Sequence, residues 1–580
     1  MSPRSAAMKP SRIIRVSGER RGAFDRARDR LFILMVVFSA LFVVVIGRLF
    51  VLTVLEARHS VSPISVLAQI QKPTRADIID RNGVVLAKSM PSRSLIVRPG
   101  QLLDKAAAIA QVRTVIPSLS ERYLEDRMAP GAPFRFVKRH ITPAQETYLR
   151  GVGDPGLQFE DEYRRVYPGG KLAAHVIGFA NADSEGQMGV EASFNRRLDD
   201  REKRETALRL SIDTRVQHAM ENVLQTDIQR YQAEAGVGVL LHIATGEVVA
   251  MASLPTFDPN NVSASPTGYQ ANRVTNRVYE LGSTFKAFTF AQGFDLGLAS
   301  PAQVCDASVP LTLGRKLIHD RWSLRRPITM AQALIRSSNT CTGRLGDAIG
   351  ADRQRAFLRS LGFLSPLSIE LNEVSSFRMS SSWGRFATVT ISYGHGIAVT
   401  PMHLAQGAAT MLNDGRPVQA TLIPQNPIMK DGMLENTAAV ISAKTQGDLR
   451  QLLRLAVLNG TGKAADVAGL RVGGKTGTAE RARLDALGYE KDKNINTFLG
   501  AFPMEAPVYV LVMMLDSPKA EANSDLRGAS ANVARSAGRF IQRSAAFLNV
   551  MPDFGPETWL DDAIIVQASY SPPVGWEAVR

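Results

Sequence analysis

The stretch Glu280-Leu281-Gly282-Ser283-Thr284-Phe285-Lys286 sets a serine and a lysine three residues apart at the mouth of an apolar run, Ala287 to Ala291. Residues i and i+3 of a helix share a face, so Ser283 and Lys286 are expected within reach of each other. An amine beside a hydroxyl at a helix start suits a nucleophile and its base. Ser-x-x-Lys also arises by chance, so its meaning depends on what the rest of the chain supplies.

Two further motifs come downstream, Ser337-Ser338-Asn339 and Lys475-Thr476-Gly477-Thr478. Each has a fitting local context: a helix start, a turn between helices and a strand. Ser283 is a poor nucleophile until a base stands beside it. Lys286 can be that base only as a neutral amine, a form favoured by burial and by a second cation, for which Lys475 is the candidate. Ser337 and Asn339, two apart in a turn, can face one cleft. The hydroxyl can relay a proton between Lys475 and a leaving group. The amide can grip a substrate carbonyl or steady Lys286. Gly477 lets the strand lie close against a peptide substrate. The N–H groups of Ser283 and Thr478 are expected to form an oxyanion hole. Lys475, Thr476 and Thr478 suit a terminal carboxylate. The chemistry is acyl transfer from a peptide with a free C-terminus.

Taken singly, each motif has a bland reading. Lys286 could be an exposed helix lysine, Ser337 and Ser338 a helix C-terminal turn, and Lys475 the guard of an edge strand. These readings do not explain three motifs in this order. A Ser-His-Asp triad is the weaker rival, because no histidine stands in a nucleophile elbow and His242 reads as a strand residue. His395, in Ser392-Tyr393-Gly394-His395-Gly396, is expected at the cleft rim.

With 580 residues, 45% hydrophobic and 21% charged, the chain is globular and too long for one core. A net charge of +15 points to an anionic neighbour. No Lys/Arg block with interleaved aromatics supports nucleic-acid binding, so a membrane or an acidic polymer is the better partner. The eight histidines form no metal-ligand cluster, and no cofactor or metal is expected. Cys305 and Cys341 have no metal-ligand spacing and read as two buried thiols, pairing only if the fold brings them together.

Residues 1–30 are basic, and Leu31 to Gly47 carries no charge. That run spans about 26 Å as a helix, and extending it to Leu55 with Arg48 snorkelling gives a membrane anchor over 31–55. The run exceeds a signal-peptide core, and no small-x-small cleavage site comes after it. The charge asymmetry places residues 1–30 in the cytoplasm and the remainder outside. Residues 56–205 read as a mixed α/β module without acid/base chemistry, with a hairpin signalled by Asn82-Gly83 between Ile78 and Leu86. Residues 206–550 read as the second domain. Asp213 or Thr214 caps its first helix, Arg215–Tyr231. Strands at Val237–Ile243 and Glu247–Ala252, a helical insert, strands at Val472–Glu480, Thr497–Phe502 and Val508–Leu515, and a helix from Ala529 to about Leu548 complete it. This pattern predicts an α+β domain, one five-stranded antiparallel sheet with helices on both faces. Residues 551–580 read as a partly ordered tail.

Ser-x-x-Lys, Ser-x-Asn and Lys-Thr-Gly together are the signature of penicillin-binding proteins and related β-lactamases. The chain resembles the class B penicillin-binding proteins over nearly its whole length, including the anchor, Asp80-Arg81-Asn82-Gly83 and Gly189-Val190-Glu191. Arg75-Ala76 departs from the Arg-Gly of many relatives and concerns the first module only. The resemblance implies a DD-transpeptidase. Ser283 attacks the D-Ala-D-Ala stem of peptidoglycan, D-Ala leaves, and a neighbouring stem's amine takes the acyl group. β-Lactams would inhibit it. The first module would be a non-catalytic, dimerisation-type pedestal. A membrane glycosyltransferase of the SEDS type would polymerise the strands, alongside other division proteins. Within the class the chain is more similar to the septal division branch, the FtsI type, than to the elongation branch. Ala174-His175-Val176-Ile177-Gly178-Phe179, Asp183-Ser184-Glu185-Gly186, the run Gly473 to Glu480, Phe498 to Pro503 and Asp516-Ser517-Pro518-Lys519 carry that distinction. The implied setting is the inner membrane, with a single pass and a periplasmic catalytic domain. A β-lactamase of the same fold would need a water-activating base, and Glu370-Leu371-Asn372 is spaced too tightly to supply one. A penicillin sensor would need a larger cytoplasmic domain than 30 residues.

Overall fold

A computed structural model of the chain describes residues 19–50, 75–320, 326–379, 382–425, 438–483, 488–521 and 526–569. The chain divides into two units, Met1–Lys72 and Pro73–Arg580. The first holds one long helix, α1 (Glu19–Phe50), with Phe32, Phe38 and Phe42 among its exposed apolar side chains. Among the described residues no helix is long and apolar enough to cross a membrane. The expected distal end of the anchor, Val51–Leu55, lies outside the described residues.

The second unit begins with the pedestal. Its strands are β1 (Ile78–Ile79), β2 (Val85–Val97), β3 (Arg135–Ile141), β4 (Leu157–Val166) and β5 (Leu208–Arg209), all in one five-stranded sheet. The long β2 pairs with β1, β3 and β4, and the expected Asn82-Gly83 turn joins β1 to β2. Helices α2 (Lys105–Val115), α3 (Glu121–Arg127) and α4 (Pro143–Val152) add Val112, Leu124 and Leu149 to a core shared with Leu95, Val97 and Val137. A second anchor is ionic. Glu191 accepts from Arg75 Nε at 2.6 Å and from Arg165 Nε at 2.7 Å, all three buried. Each carboxylate oxygen has its own guanidinium, which is the condition for burying such a charge.

The β1–β2 turn also joins the pedestal to the second domain. Asp80, fully buried, accepts from the N–H groups of Asn82 and Val84 through Oδ1. Through Oδ2 it accepts from the N–H and hydroxyl of Thr214. Thr214 opens α5 (Thr214–Arg230), capped by Asp213. Arg81 pairs with Glu247, and Asn82 donates to Asp213. One short turn therefore caps the first helix of the second domain.

That domain is built on β6 (Ala235–His242) and β7 (Val248–Leu254), joined later by β8 (Gly473–Ala482), β9 (Tyr489–Phe502) and β10 (Tyr509–Asp516). The order is β8-β9-β10-β6-β7, with every pairing antiparallel. Period-two alternation sends Val510, Val512 and Met514 into one core and Leu511, Met513 and Leu515 into the other. On one face lie α5 and α11 (Val533–Ser544). On the other lie α6 (Lys286–Asp295), α7 (Met330–Arg336), α9 (Pro401–Leu412) and α10 (Ala443–Leu458), while α8 (Asn339–Ile349) packs on α6. The expected five-stranded antiparallel domain is the one observed. Its last helix is shorter than expected, and a 3-10 turn, Ala545–Leu548, completes the span.

One expectation fails. Cys305 and Cys341 are not free thiols but a disulfide, with Cα atoms 6.0 Å apart across a separation of 36 residues. The short strand Val304–Asp306 pairs with Pro327–Thr329 just ahead of α7 and returns Cys305 to α8, a closure invisible in spacing. The segment read as a partly ordered tail is described as far as residue 569. It folds back onto the second domain and ends in a helix, α12 (Asp562–Ser569), whose Ile564 is buried. The buried anchor at Ile564 and the acidic partners Asp553 and Glu557 fix it, which no periodicity announces.

The bridge predicts two results. Thiol titration of the unfolded, unreduced chain should find no free cysteine. Reduction should lower stability by about 3–4 kcal/mol, the loop-closure value for a ring of this size, measured as a shifted denaturation midpoint.

Candidate active site

Ser283 sits in a 3-10 turn, Gly282–Phe285, that runs directly into α6. Every residue of α6 from Lys286 to Phe294 is buried, the polar Lys286, Thr289 and Gln292 included, because the helix lies inside the domain. Phe285, Phe288 and Phe363 pack ring on ring at 5.0 to 5.7 Å beneath the turn. The turn itself is shaped by glycines. Gly282 has φ +53° and donates to Gly394 O at 3.2 Å. A Cβ at Gly477 would stand 2.3 Å from Leu281 O, and one at Gly394 would stand 2.0 Å from Gly282 O. Gly477 therefore admits the turn of Ser283 against β8, a closer constraint than the expected approach of substrate.

Lys286 is fully buried, and its amine meets three oxygens. It donates to Ser337 O at 2.6 Å, Ser337 Oγ at 3.0 Å and Asn339 Oδ1 at 2.7 Å. Ser337 is the C-cap of α7 in the left-handed region, φ +64°, a conformation uncommon for a side-chain-bearing residue. That bend turns both its oxygens onto one amine. Asn339 is the first residue of α8, capped by Ser338, whose Oγ accepts from Cys341 N. Of the two roles left open for the Asn339 amide, the oxygen takes the second and steadies Lys286. Among the described residues no hydrogen bond joins Ser283 to Lys286.

Lys475, on the edge strand β8, is also fully buried and donates to Thr476 O at 3.1 Å. Burial pushes its pKa down to about 7. Burial also lowers Lys286 well below the ordinary lysine range, the charge of Lys475 lowers it further, and Asp320 opposes both. Burial therefore disfavours the charged form of both lysines, and the charge of Lys475 adds to it at Lys286. Carbonyl O of Ser337 and Oδ1 of Asn339 can only accept. A neutral Lys286 has two N–H bonds for those two oxygens and keeps its lone pair for a hydroxyl.

The threonine hydroxyls assigned to a carboxylate have other partners in this structure. Thr476 Oγ1 lies 2.5 Å from Thr461 Oγ1, and Thr478 Oγ1 accepts from Ala529 N at 3.1 Å. His395 lies beside the Ser283 turn, its ring against Tyr393, and burial and the charge of Lys286 lower its pKa. Two polar residues were not singled out from sequence. Asp320 accepts from Ser338 Oγ and Thr340 N, fixing the turn that carries Asn339. Glu280 accepts from Gly396 N and from Tyr489 O–H, each at 3.0 Å. Burial raises its pKa. Position next to the motif was the only signal for Glu280, and Asp320 had none.

The sequence model of the penicillin binding protein transpeptidase domain matches residues 236–537. The chain belongs to the penicillin-binding protein transpeptidase family. The dimerisation domain of penicillin-binding proteins matches residues 70–209, ahead of it, the order of the class B penicillin-binding proteins. This member is 34% identical over 498 residues to a probable peptidoglycan D,D-transpeptidase FtsI of Caulobacter vibrioides, covering 83% of each chain. It is 28% identical over 499 residues to the peptidoglycan D,D-transpeptidase FtsI of Escherichia coli K12, covering 79% of this chain and 81% of that one. It is also 28% identical over 473 residues to the probable peptidoglycan D,D-transpeptidase PbpC of Pseudomonas aeruginosa, covering 77% and 82%.

The close backbone approach at Gly477 gives a test. Gly477→Ala must push the Ser283 turn away from β8 and should slow acylation by a penicillin about 10²-fold, the cost of roughly an ångström of misplacement. Circular dichroism should stay unchanged. Normal acylation would refute this account of the glycine.

Proposed function

We propose that this chain is a serine-type peptidoglycan DD-transpeptidase that cross-links stem peptides during septal wall synthesis. The observation that carries the reading is the convergence of Ser337 and Asn339 on the buried amine of Lys286, with Lys475 as the second buried cation. Neutral Lys286 takes the proton of Ser283, and Oγ attacks the carbonyl of the penultimate D-Ala. The N–H groups of Ser283 and Thr478 hold the oxyanion, each donor supplying roughly 3–4 kcal/mol. The proton passes through Ser337 to the leaving D-Ala nitrogen, and Lys475 faces the terminal carboxylate with Thr476 and Thr478. Those two hydroxyls must exchange their present partners to do so. The amine of a neighbouring stem then takes the acyl group by the same path in reverse. β-Lactams enter by the first half and stop there.

A deacylating lactamase is disfavoured by where the nearby glutamates are spent. Glu370 accepts from Thr421 Oγ1 and Leu422 N, and Glu373 accepts from Gly189 N of the pedestal. The names of the FtsI relatives support the septal role over elongation.

The same proposal places the chain in the inner membrane, with one pass through 31–55 and the catalytic domain in the periplasm. The uncharged run Leu31–Gly47 and the basic residues before it support this. So do the exposed apolar side chains of α1 and a disulfide suited to an oxidising compartment. A SEDS-type glycosyltransferase and other division proteins are its proposed partners.

Labelling with a fluorescent penicillin tests the chemistry. Ser283→Ala should abolish labelling, and the wild-type adduct should persist for minutes. Release within seconds would favour a lactamase. In cells, the protein should fractionate with the inner membrane and its depletion should give filaments. Rounded cells would overturn the septal role. The charge network predicts a pH effect as well. Acylation should rise with pH as Lys286 loses its proton. Asp320→Asn removes the charge that holds that proton, so the acid limb should move to lower pH. Movement to higher pH would contradict the assignment.

A further inference from the structure

Residues 551–569 lie beyond the matched transpeptidase region, yet two buried arginines of the catalytic domain reach into them. Arg454, on α10, donates from Nε and Nη2 to both oxygens of Glu557 at 2.8 and 2.6 Å. Its Nη1 donates to Asp466 Oδ1 at 2.7 Å and to Val472 O at 2.8 Å. Arg471 pairs with Glu505 and with Asp553, and donates to Gly555 O. Val472 stands between Arg471 and Gly473, where β8 begins. The backbone that enters the strand of Lys475 is thus held by an arginine whose other edge is held by the C-terminal segment.

The same segment backs the opposite wall of the site. Trp559, Ile564, Ile565 and Ala568 pack into the core that includes Leu334, Ile335 and Leu453. Helix α12 lies against both α7 and α10. α7 ends at Ser337. Just after α10, a Cβ at Gly460 would stand 2.7 Å from Ile335 O, and Thr461 meets Thr476. The loop just after α10 therefore touches α7 two residues before Ser337 and meets the Lys475 strand, and α10 carries Arg454 about one turn before its end.

We propose that the segment 552–569 is a brace for the active site and that Glu557 and Arg454 are positioning residues for acylation. A bidentate ion pair between a buried guanidinium and a half-buried carboxylate recovers little more than its own desolvation cost, so its main consequence is fixed geometry rather than stability. Here the geometry it fixes is the spacing between Lys475 on β8 and the oxygens of Ser337 that hold Lys286. The inference rests on the transpeptidase reading.

The test uses the full chain in detergent and a fluorescent penicillin, with the acylation rate constant separated from the noncovalent binding constant by rapid mixing. Glu557→Gln keeps the volume and removes the charge. It should slow acylation about tenfold, with the binding constant within about twofold. Glu557→Asp, which keeps the charge on a shorter arm, should recover part of the loss. Leu149→Ala, in the pedestal core, serves as a control that lowers the unfolding temperature without touching the brace. It should leave the acylation rate constant unchanged. Glu557→Gln with an unchanged rate constant, or one that falls only as far as in Leu149→Ala, would overturn the brace. Failure of the unaltered chain to acylate would instead overturn the transpeptidase reading.

Discussion

The burial of Lys286 is the constraint on which the rest of the catalytic domain depends. An ammonium without solvent needs acceptors or must lose its proton, and the fold supplies both conditions at once. Three oxygens from a single turn surround the amine, and a second buried lysine stands in its field. Much of the architecture reads as the means of keeping those groups together. The left-handed bend at Ser337 aims two oxygens at one nitrogen. Asp320 pins the next residue, and the Cys305–Cys341 bridge ties α8 to the strand pair that leads into α7.

Close backbone packing does for Ser283 what hydrogen bonding does for Lys286. The Ser283 turn is wedged between β8 and the loop at Gly394, at distances that exclude a side chain on either neighbour. Glycine is needed at Gly477 and Gly394 because a carbonyl occupies the space of a Cβ.

The two modules of the second unit share one apolar core, in which Ile78, Val176 and Val190 pack with Val237, Leu241 and Val274, and polar groups clasp them as well. Asp80 divides one carboxylate between the pedestal turn and the first helix of the catalytic domain, and Arg81 reaches Glu247. Glu373, close in sequence to the cleft-side helices, accepts from Gly189 of the pedestal. A carboxylate with partners in both modules resists separation, because parting them would strand a buried charge.

Much of this was legible in the residues alone. The alternation of Val510 to Leu515 specifies a strand covered on both faces, and Asp213 before Thr214 specifies a helix start, because both are local consequences of backbone geometry. Ser283, Lys286, Ser337, Asn339 and Lys475 were legible because each motif is short and keeps its local context. What spacing could not show is everything made by closure of the chain on itself. The pairing of Cys305 with Cys341, the grip of Asp320 on Ser338 and the clasp of Arg454 on Glu557 join residues with no local pattern in common. The partners of Thr476 and Thr478 belong to the same class, since a hydroxyl takes whichever donor or acceptor the fold brings to it. The sequence by itself determined the elements and the reactive groups, because periodicity and side-chain chemistry are properties of neighbours. Only the tertiary structure decided that Lys286 is driven toward its neutral form, because burial and the field of a second lysine 189 positions away exist only once the sheet and helices have closed.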